Sequence, residues 1–151
     1  MKSIRKIELK WTRVLIAREG EEVYDTSVFS PSEAAPVIRA LLNNKVSEHF
    51  VVLLLDVKNR VLGFDPVSKG GISGCVVLPA DVFRGAIIGG ASNVILGHNH
   101  PSGDPAPSAE DIALTKRLVE AGKILGIRVI DHIIVGEQGF FAFSDKDMLG
   151  G

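Results

Sequence analysis

Cysteine is nearly absent from this chain. Cys75 is its one thiol in 151 residues. An internal disulfide and any cysteine-based metal cluster are therefore excluded, so a metal held here must use histidine and carboxylate. Cys75 itself, within Gly74-Cys75-Val76-Val77-Leu78, reads as a small buried apolar side chain rather than a nucleophile. Aromatic residues make up only 6%, a thin supply for stacking nucleobases. No charge of one sign dominates either: 17 basic against 18 acidic side chains leave a formal net charge of −1, so no electrostatic footprint of a nucleic-acid binder is present. No apolar run approaches the roughly 18 residues of a membrane span. The basic opening Met1-Lys2-Ser3-Ile4-Arg5-Lys6 runs into Ile7-Glu8-Leu9-Lys10, which lacks the apolar stretch of a secretion signal. These absences lead us to expect a cytoplasmic protein with no membrane partner.

What is present is apolar content for one core. At 46% hydrophobic over 151 residues, the chain can fill one domain and not two. Residues 13–17 and 22–25 read as two short strands of a hairpin around Gly20. Ser30-Pro31-Ser32-Glu33 combines a hydroxyl N-cap, proline at the first helical position and glutamate three residues after the cap. Val37, Ile38, Leu41 and Leu42 continue it at helical spacing, with a kink expected at Pro36. Residues 49–57 form a continuous apolar run, the pattern of a central strand covered on both faces, and Lys58-Asn59-Arg60 turns the chain into a strand over 61–65. A strand over 74–78, a helix from Pro79 to Gly89-Gly90, a strand over 94–97, a helix over 108–126 and strands over 129–135 and 140–143 complete the series. Alternating strands and helices make an α/β or α+β sheet protein.

The densest chemistry lies in His98-Asn99-His100-Pro101-Ser102-Gly103-Asp104-Pro105-Ala106-Pro107-Ser108-Ala109-Glu110-Asp111. Histidines at i and i+2 leaving a strand project to one side. After a stretch too rich in proline and glycine to be regular, Asp111 can fold back from a helix's first turn as a third ligand. Three nitrogen and oxygen ligands leave one tetrahedral position open, the mark of a catalytic rather than a structural zinc. Ser108-Ala109-Glu110-Asp111 is equally an ordinary N-cap with an acid in the first turn, and a capping geometry would itself fix Asp111 in place. Asp104 before Pro105 suits a turn, and His49 reads as structural. His132 reads as a hydrogen-bonded core histidine, and Asp131 as a candidate to orient a ligand imidazole.

The spacing His98-x-His100, seven residues, Ser108-x-x-Asp111 resembles the metal motif of the JAMM (MPN+) metalloproteases. The wording around it, Gly97-His98-Asn99-His100-Pro101-Ser102-Gly103-Asp104-Pro105, is similar to the RadC-like branch. Ser47-Glu48-His49-Phe50, the Leu55 to Arg60 turn and Asp131-His132-Ile133-Ile134 resemble further stations of that domain in the same order. The resemblance implies an MPN/JAB-type α/β (α+β) fold, with a cytidine-deaminase-like central mixed β-sheet flanked by helices. It would occupy residues 30–151, with 1–29 as an N-terminal strand or hairpin segment integrated with it. It implies Zn2+ on His98, His100 and Asp111, Glu48 as general base, Ser108 as hydroxyl donor to the oxyanion, and a peptide or protein substrate. Without the family, Glu48 cannot be chosen over Glu33, Glu110 or Glu120. Longer RadC-like proteins carry an N-terminal helix-hairpin-helix segment, and the expectation here is a short form without it, which weakens the link to DNA repair.

Other zinc chemistries lack their residues. A nucleobase deaminase needs Pro-Cys-x-x-Cys, and a thermolysin-type protease needs His-Glu-x-x-His on a helix. Two readings remain: a zinc hydrolase of peptide or isopeptide bonds, or a non-catalytic metal-binding or scaffold module associated with DNA repair or recombination. The intact set of Glu48, His98, His100, Ser108 and Asp111 favours the hydrolase. The loops 66–73 and 102–107 are expected to wall the cleft, and the oligomeric state is left open.

Overall fold

A computed structural model describes residues 26–42, 46–69 and 77–150 of the chain. The elements run α1 (Pro31–Leu41), β1 (His49–Leu55), β2 (Val61–Lys69), α2 (Pro79–Gly89), β3 (Asn93–Asn99), α3 (Ala109–Leu125), β4 (Arg128–Val135), β5 (Phe140–Ala142) and a 3-10 turn at Ser144–Lys146. The expected hairpin over 13–17 and 22–25, and Cys75, lie outside the described residues.

Five strands form one mixed sheet in the order β2-β1-β3-β4-β5. β1 runs antiparallel to both β2 and β3, β3 is parallel to β4, and β5 returns antiparallel. Alternation along β1 explains its unbroken apolar run. Phe50, Val52 and Leu54 pack with Val82, Phe83 and Ala86 of α2 and Leu118 and Val119 of α3. Val51, Leu53 and Leu55 pack with Ala34, Ala35 and Ile38 of α1. A strand buried on both faces has no polar side to display. Helices thus cover the sheet on two sides, and Gly97 of β3 lets α1 approach closely: a Cβ there would lie 2.6 Å from Ile38 Cγ2.

Local chemistry sets the boundaries. Ser30 Oγ accepts from the Glu33 N–H, and the Glu33 carboxylate accepts from the Ser30 N–H, closing a capping box at α1. The helix runs on through Pro36 to Leu41, so that proline does not end it. Gly90 and Gly126, both left-handed, close α2 and α3. Five expectations are corrected. β1 ends at Leu55 rather than at Val57, because the Asp56 carboxylate accepts the Lys58 and Arg60 N–H groups and closes the turn. β2 continues four residues past Asp65, because as an edge strand it tolerates Pro66; positions 66–69 are therefore strand, not cleft loop. Val77 and Leu78 are not in a strand, since the Leu78 carbonyl already accepts from Asp81 and Val82 at the start of α2. β3 extends two residues beyond Gly97 and carries His98 and Asn99 within the ladder. β5 stops at Ala142, because the Asp131 carboxylate accepts both the backbone N–H and the hydroxyl of Ser144 and draws the chain into the 3-10 turn.

Candidate metal centre

Strand register brings the distant residues together. Phe50 lies opposite His98 in the antiparallel β1/β3 pair, and two further residues of that register set Glu48 across from His100. Glu48, Phe50, His98 and His100 share the parity that faces α2 and α3. The N-terminus of α3 delivers the carboxylate: Ser108 Oγ accepts the Asp111 N–H at 3.0 Å, and Asp111 Oδ2 accepts the Ser108 N–H at 2.8 Å. The capping geometry therefore aims Asp111 at the strand end.

One ligand atom from each of Glu48, His98, His100 and Asp111 falls within 4.8 Å of the others. His98 Nε2 is 3.0 Å from His100 Nε2, 3.2 Å from Asp111 Oδ1 and 3.7 Å from Glu48 Oε1, and His100 Nε2 is 3.1 Å from Asp111 Oδ2. A tetrahedral site with bonds of about 2.0–2.1 Å has corners about 3.3 Å apart, so this spacing is close to a ligand set. His98 is 1% exposed and forms the floor, whereas the Glu48 side chain is 40% exposed at the mouth.

Hydrogen bonds behind the cluster decide which ring nitrogens carry protons. His100 Nδ1 lies 2.9 Å from the Asp104 carbonyl, which can only accept, so Nδ1 holds the proton and Nε2 presents a lone pair. The Thr115 hydroxyl donates to the Asp111 carbonyl at 2.6 Å, so the 2.6 Å contact between Thr115 Oγ1 and His132 Nδ1 uses the proton of His132. Burial, with the adjacent His98 and against the pull of Asp111, holds the His132 pKa well below the ordinary histidine value. Neutral His132 therefore accepts at Nε2 from His98 Nδ1, 2.8 Å away, leaving His98 Nε2 bare as well. Two imidazole lone pairs and a carboxylate converge with no proton between them. A divalent cation satisfies that arrangement, and a set of two nitrogens and a carboxylate, with a second carboxylate beside it, suits zinc.

Asp111 is the most strongly biased carboxyl. Burial opposes its charge, yet the adjacent His98 imidazole, with the bonds to Ser108, outweighs burial and holds its pKa far below the usual carboxylate range. The expected metal ligands and Glu48 are thus brought together. Ser108 sits exposed at the cap, where its Oγ accepts the Asp111 N–H. Asp104 behaves as a turn residue, its carboxylate accepting from Ala106 N–H, while its carbonyl fixes His100.

Asp131 does not orient a ligand imidazole. It accepts from His132 N–H and from Ser144 N–H and Oγ–H. A register shift opposite Val94 and Ile95 turns His132, not Asp131, toward α3. His132 is the buried, hydrogen-bonded histidine expected from the sequence and lies behind His98, whereas Thr115 and Asn99 escape sequence reasoning. The Asn99 carboxamide accepts from His49 N–H at 2.8 Å and donates to the Ser47 carbonyl at 3.1 Å, holding the backbone on both sides of Glu48. Its one sequence signal is its place between the two histidines.

The chain is similar to known proteins over most of its length. A family model described as the RadC-like JAB domain matches residues 28–148. A UPF0758 protein of Caldanaerobacter subterraneus is 42% identical over 134 residues, covering 89% of this chain and 56% of that protein. One from Desulforudis audaxviator is 48% identical over 123 residues, covering 82% and 53%, and one from Alkaliphilus metalliredigens is 43% identical over 147, covering 93% and 63%. The chain spans little more than half the length of these relatives.

Proposed function

Since the chain belongs to the RadC-like JAB domain family, we propose that it is a zinc-dependent hydrolase of peptide or isopeptide bonds. The observation that carries this reading is the convergence of the bare Nε2 atoms of His98 and His100 with the Asp111 carboxylate, beside a second, solvent-reachable carboxylate on Glu48.

His98, His100 and Asp111 hold the ion. Bound zinc supplies a Lewis acid that acidifies water and polarises a carbonyl. Glu48 takes the proton of the attacking water and returns it to the leaving amine, a role supported by its half-exposed carboxylate 3.7 Å from His98 Nε2. Ser108 donates its O–H to the oxyanion of the tetrahedral intermediate. Asn99 keeps Glu48 in register with the histidines through its two backbone bonds.

Two variants separate these roles. Asp111→Asn lowers zinc occupancy, whereas Glu48→Gln retains the ion and loses turnover on a panel of peptide and isopeptide substrates, as loss of a base but not of a ligand requires. Equal loss of zinc in both contradicts the assignment. A protein that takes up no metal on reconstitution favours the scaffold reading.

A further inference from the structure

The ligand histidine at the floor of the site is held by a side-chain chain that ends on the backbone of another ligand. His98 Nδ1 meets His132 Nε2 at 2.8 Å, His132 Nδ1 meets Thr115 Oγ1 at 2.6 Å, and Thr115 Oγ1 donates to the Asp111 carbonyl at 2.6 Å. Thr115 stands one helical turn after Asp111 on α3. The chain thus runs from β3 through β4 to α3 and back to the residue whose carboxylate faces His98. His98 is 1% exposed, and His132 and Thr115 are fully buried, so no water competes for these bonds. Phe143 stacks on the His132 ring, with centroids 4.8 Å apart and planes at 12°, while Phe50 stacks on His98. Both rings are therefore fixed in plane as well as in hydrogen bonding.

We propose that His132 and Thr115 are positioning residues for the metal centre: the Thr115 hydroxyl sets the tautomer of His132, His132 sets that of His98, and His98 is thereby held with its Nε2 lone pair facing Glu48, His100 and Asp111. The direction starts from the Asp111 backbone carbonyl, which can only accept. The Asp111 carbonyl takes the threonine proton, so His132 carries Nδ1–H toward Thr115, and a ring with that single proton accepts at Nε2 from Nδ1–H of His98. With the hydroxyl removed, that order is no longer imposed. His132 then reverses to the Nε2–H form, donates to His98 Nδ1 and forces the proton of neutral His98 onto Nε2, where it blocks the ligand lone pair. The proposal rests on the metal-centre reading of Glu48, His98, His100 and Asp111, but the tautomer of His98 is a property of the metal-free protein.

The test uses the full chain as wild type, Thr115→Val, Thr115→Ser and His132→Phe. Valine keeps the shape of threonine, serine keeps its hydroxyl, and phenylalanine keeps the stacking on Phe143. Long-range 1H–15N correlation spectra of the metal-free protein read the ring tautomers, chelator competition reads zinc affinity, and thermal melts exclude unfolding. We expect wild type and Thr115→Ser to show His98 protonated at Nδ1 and bare at Nε2. Thr115→Val shifts the proton toward Nε2, and zinc affinity falls roughly 10–100-fold in Thr115→Val and His132→Phe, the usual cost of losing a residue that orients a ligand. Folded Thr115→Val and His132→Phe that bind zinc within about twofold of wild type, or wild-type His98 carrying its proton on Nε2, overturn the proposal. A wild type that binds no zinc yet shows Nδ1–H on His98, lost in Thr115→Val, supports the positioning chain and overturns the metal reading alone.

Discussion

At the scale of single residues, the candidate ligands are legible in the sequence and their supports are not. His98, His100 and Asp111 announce themselves by spacing and by the proline-rich loop between them. His132, Thr115 and Asn99 carry ordinary core or strand roles in any one-dimensional reading, because what they do depends on residues 17 to 52 positions away. Asn99→Ala frees His49 N–H and leaves the Ser47 carbonyl to the His49 ring alone in a part-buried setting, at a cost of about 1–3 kcal/mol. We expect retained zinc and reduced turnover, measured by metal content beside substrate cleavage. Asp131 allows a cleaner electrostatic test. Burial, partly offset by its bonds to Ser144 and His132 and reinforced by Asp145, raises its pKa above the usual carboxyl value. A carboxyl raised on folding binds its proton more tightly in the native state, so it costs stability above the raised value and that cost disappears as pH falls below about 3.9, the unfolded carboxyl. Asp131→Asn can keep all three hydrogen bonds, with Ser144 Oγ accepting instead of donating. Urea unfolding at pH 4 and pH 7 should therefore show the variant gaining on wild type as pH rises; a constant difference contradicts the assignment.

Elements follow the same division. The capping boxes of α1 and α3 and the glycine stops of α2 and α3 could be read directly, because caps and stops are local chemistry. The face presented by β4 could not. Strict alternation from Val129, which joins the α2/α3 side of the core, would send His132 to the α1 side; the register shift near Ile95 reverses the parity, and Ile133 and Val135 join α1 instead. Bulges of this kind leave no mark in an apolar run. Close approach of α1 to β3 is similarly invisible until Gly97 is seen against Ile38. Gly97→Ala should destabilise by about 1–3 kcal/mol through overpacking, and Gly97→Ala combined with Ile38→Ala should cost less than the two separate losses added together, since the clash is then relieved. Additive costs in denaturant titrations would show that the contact is not limiting. At the start of α1, Ser30→Ala should cost about 1 kcal/mol by loss of the cap.

For the whole molecule, the three-layer arrangement explains why the centre lies where it does. The end of β3, the beginning of β1 and the N-terminus of α3 meet at one sheet end, so a metal there would tie the start of α3 to two strands that already pair with each other. Alternating strands and helices pointed to this class of fold, but the antiparallel placement of β1 beside β3, which brings Glu48 to His100, is a long-range pairing that no local pattern encodes. Among the described residues no helix is long and apolar enough to cross a membrane. Linking three elements, zinc should stabilise the fold as a whole: free zinc at 100 times its dissociation constant adds about 2.7 kcal/mol, which is roughly 5–10 °C in Tm for a domain of this size. A chelator should reverse it.

The most direct measurement is the metal content of the purified wild-type chain and of His98→Ala, by mass spectrometry of the ions after reconstitution with zinc. The account predicts about one zinc per chain in wild type and little in the variant. Wild type without metal, or His98→Ala with as much as wild type, contradicts it.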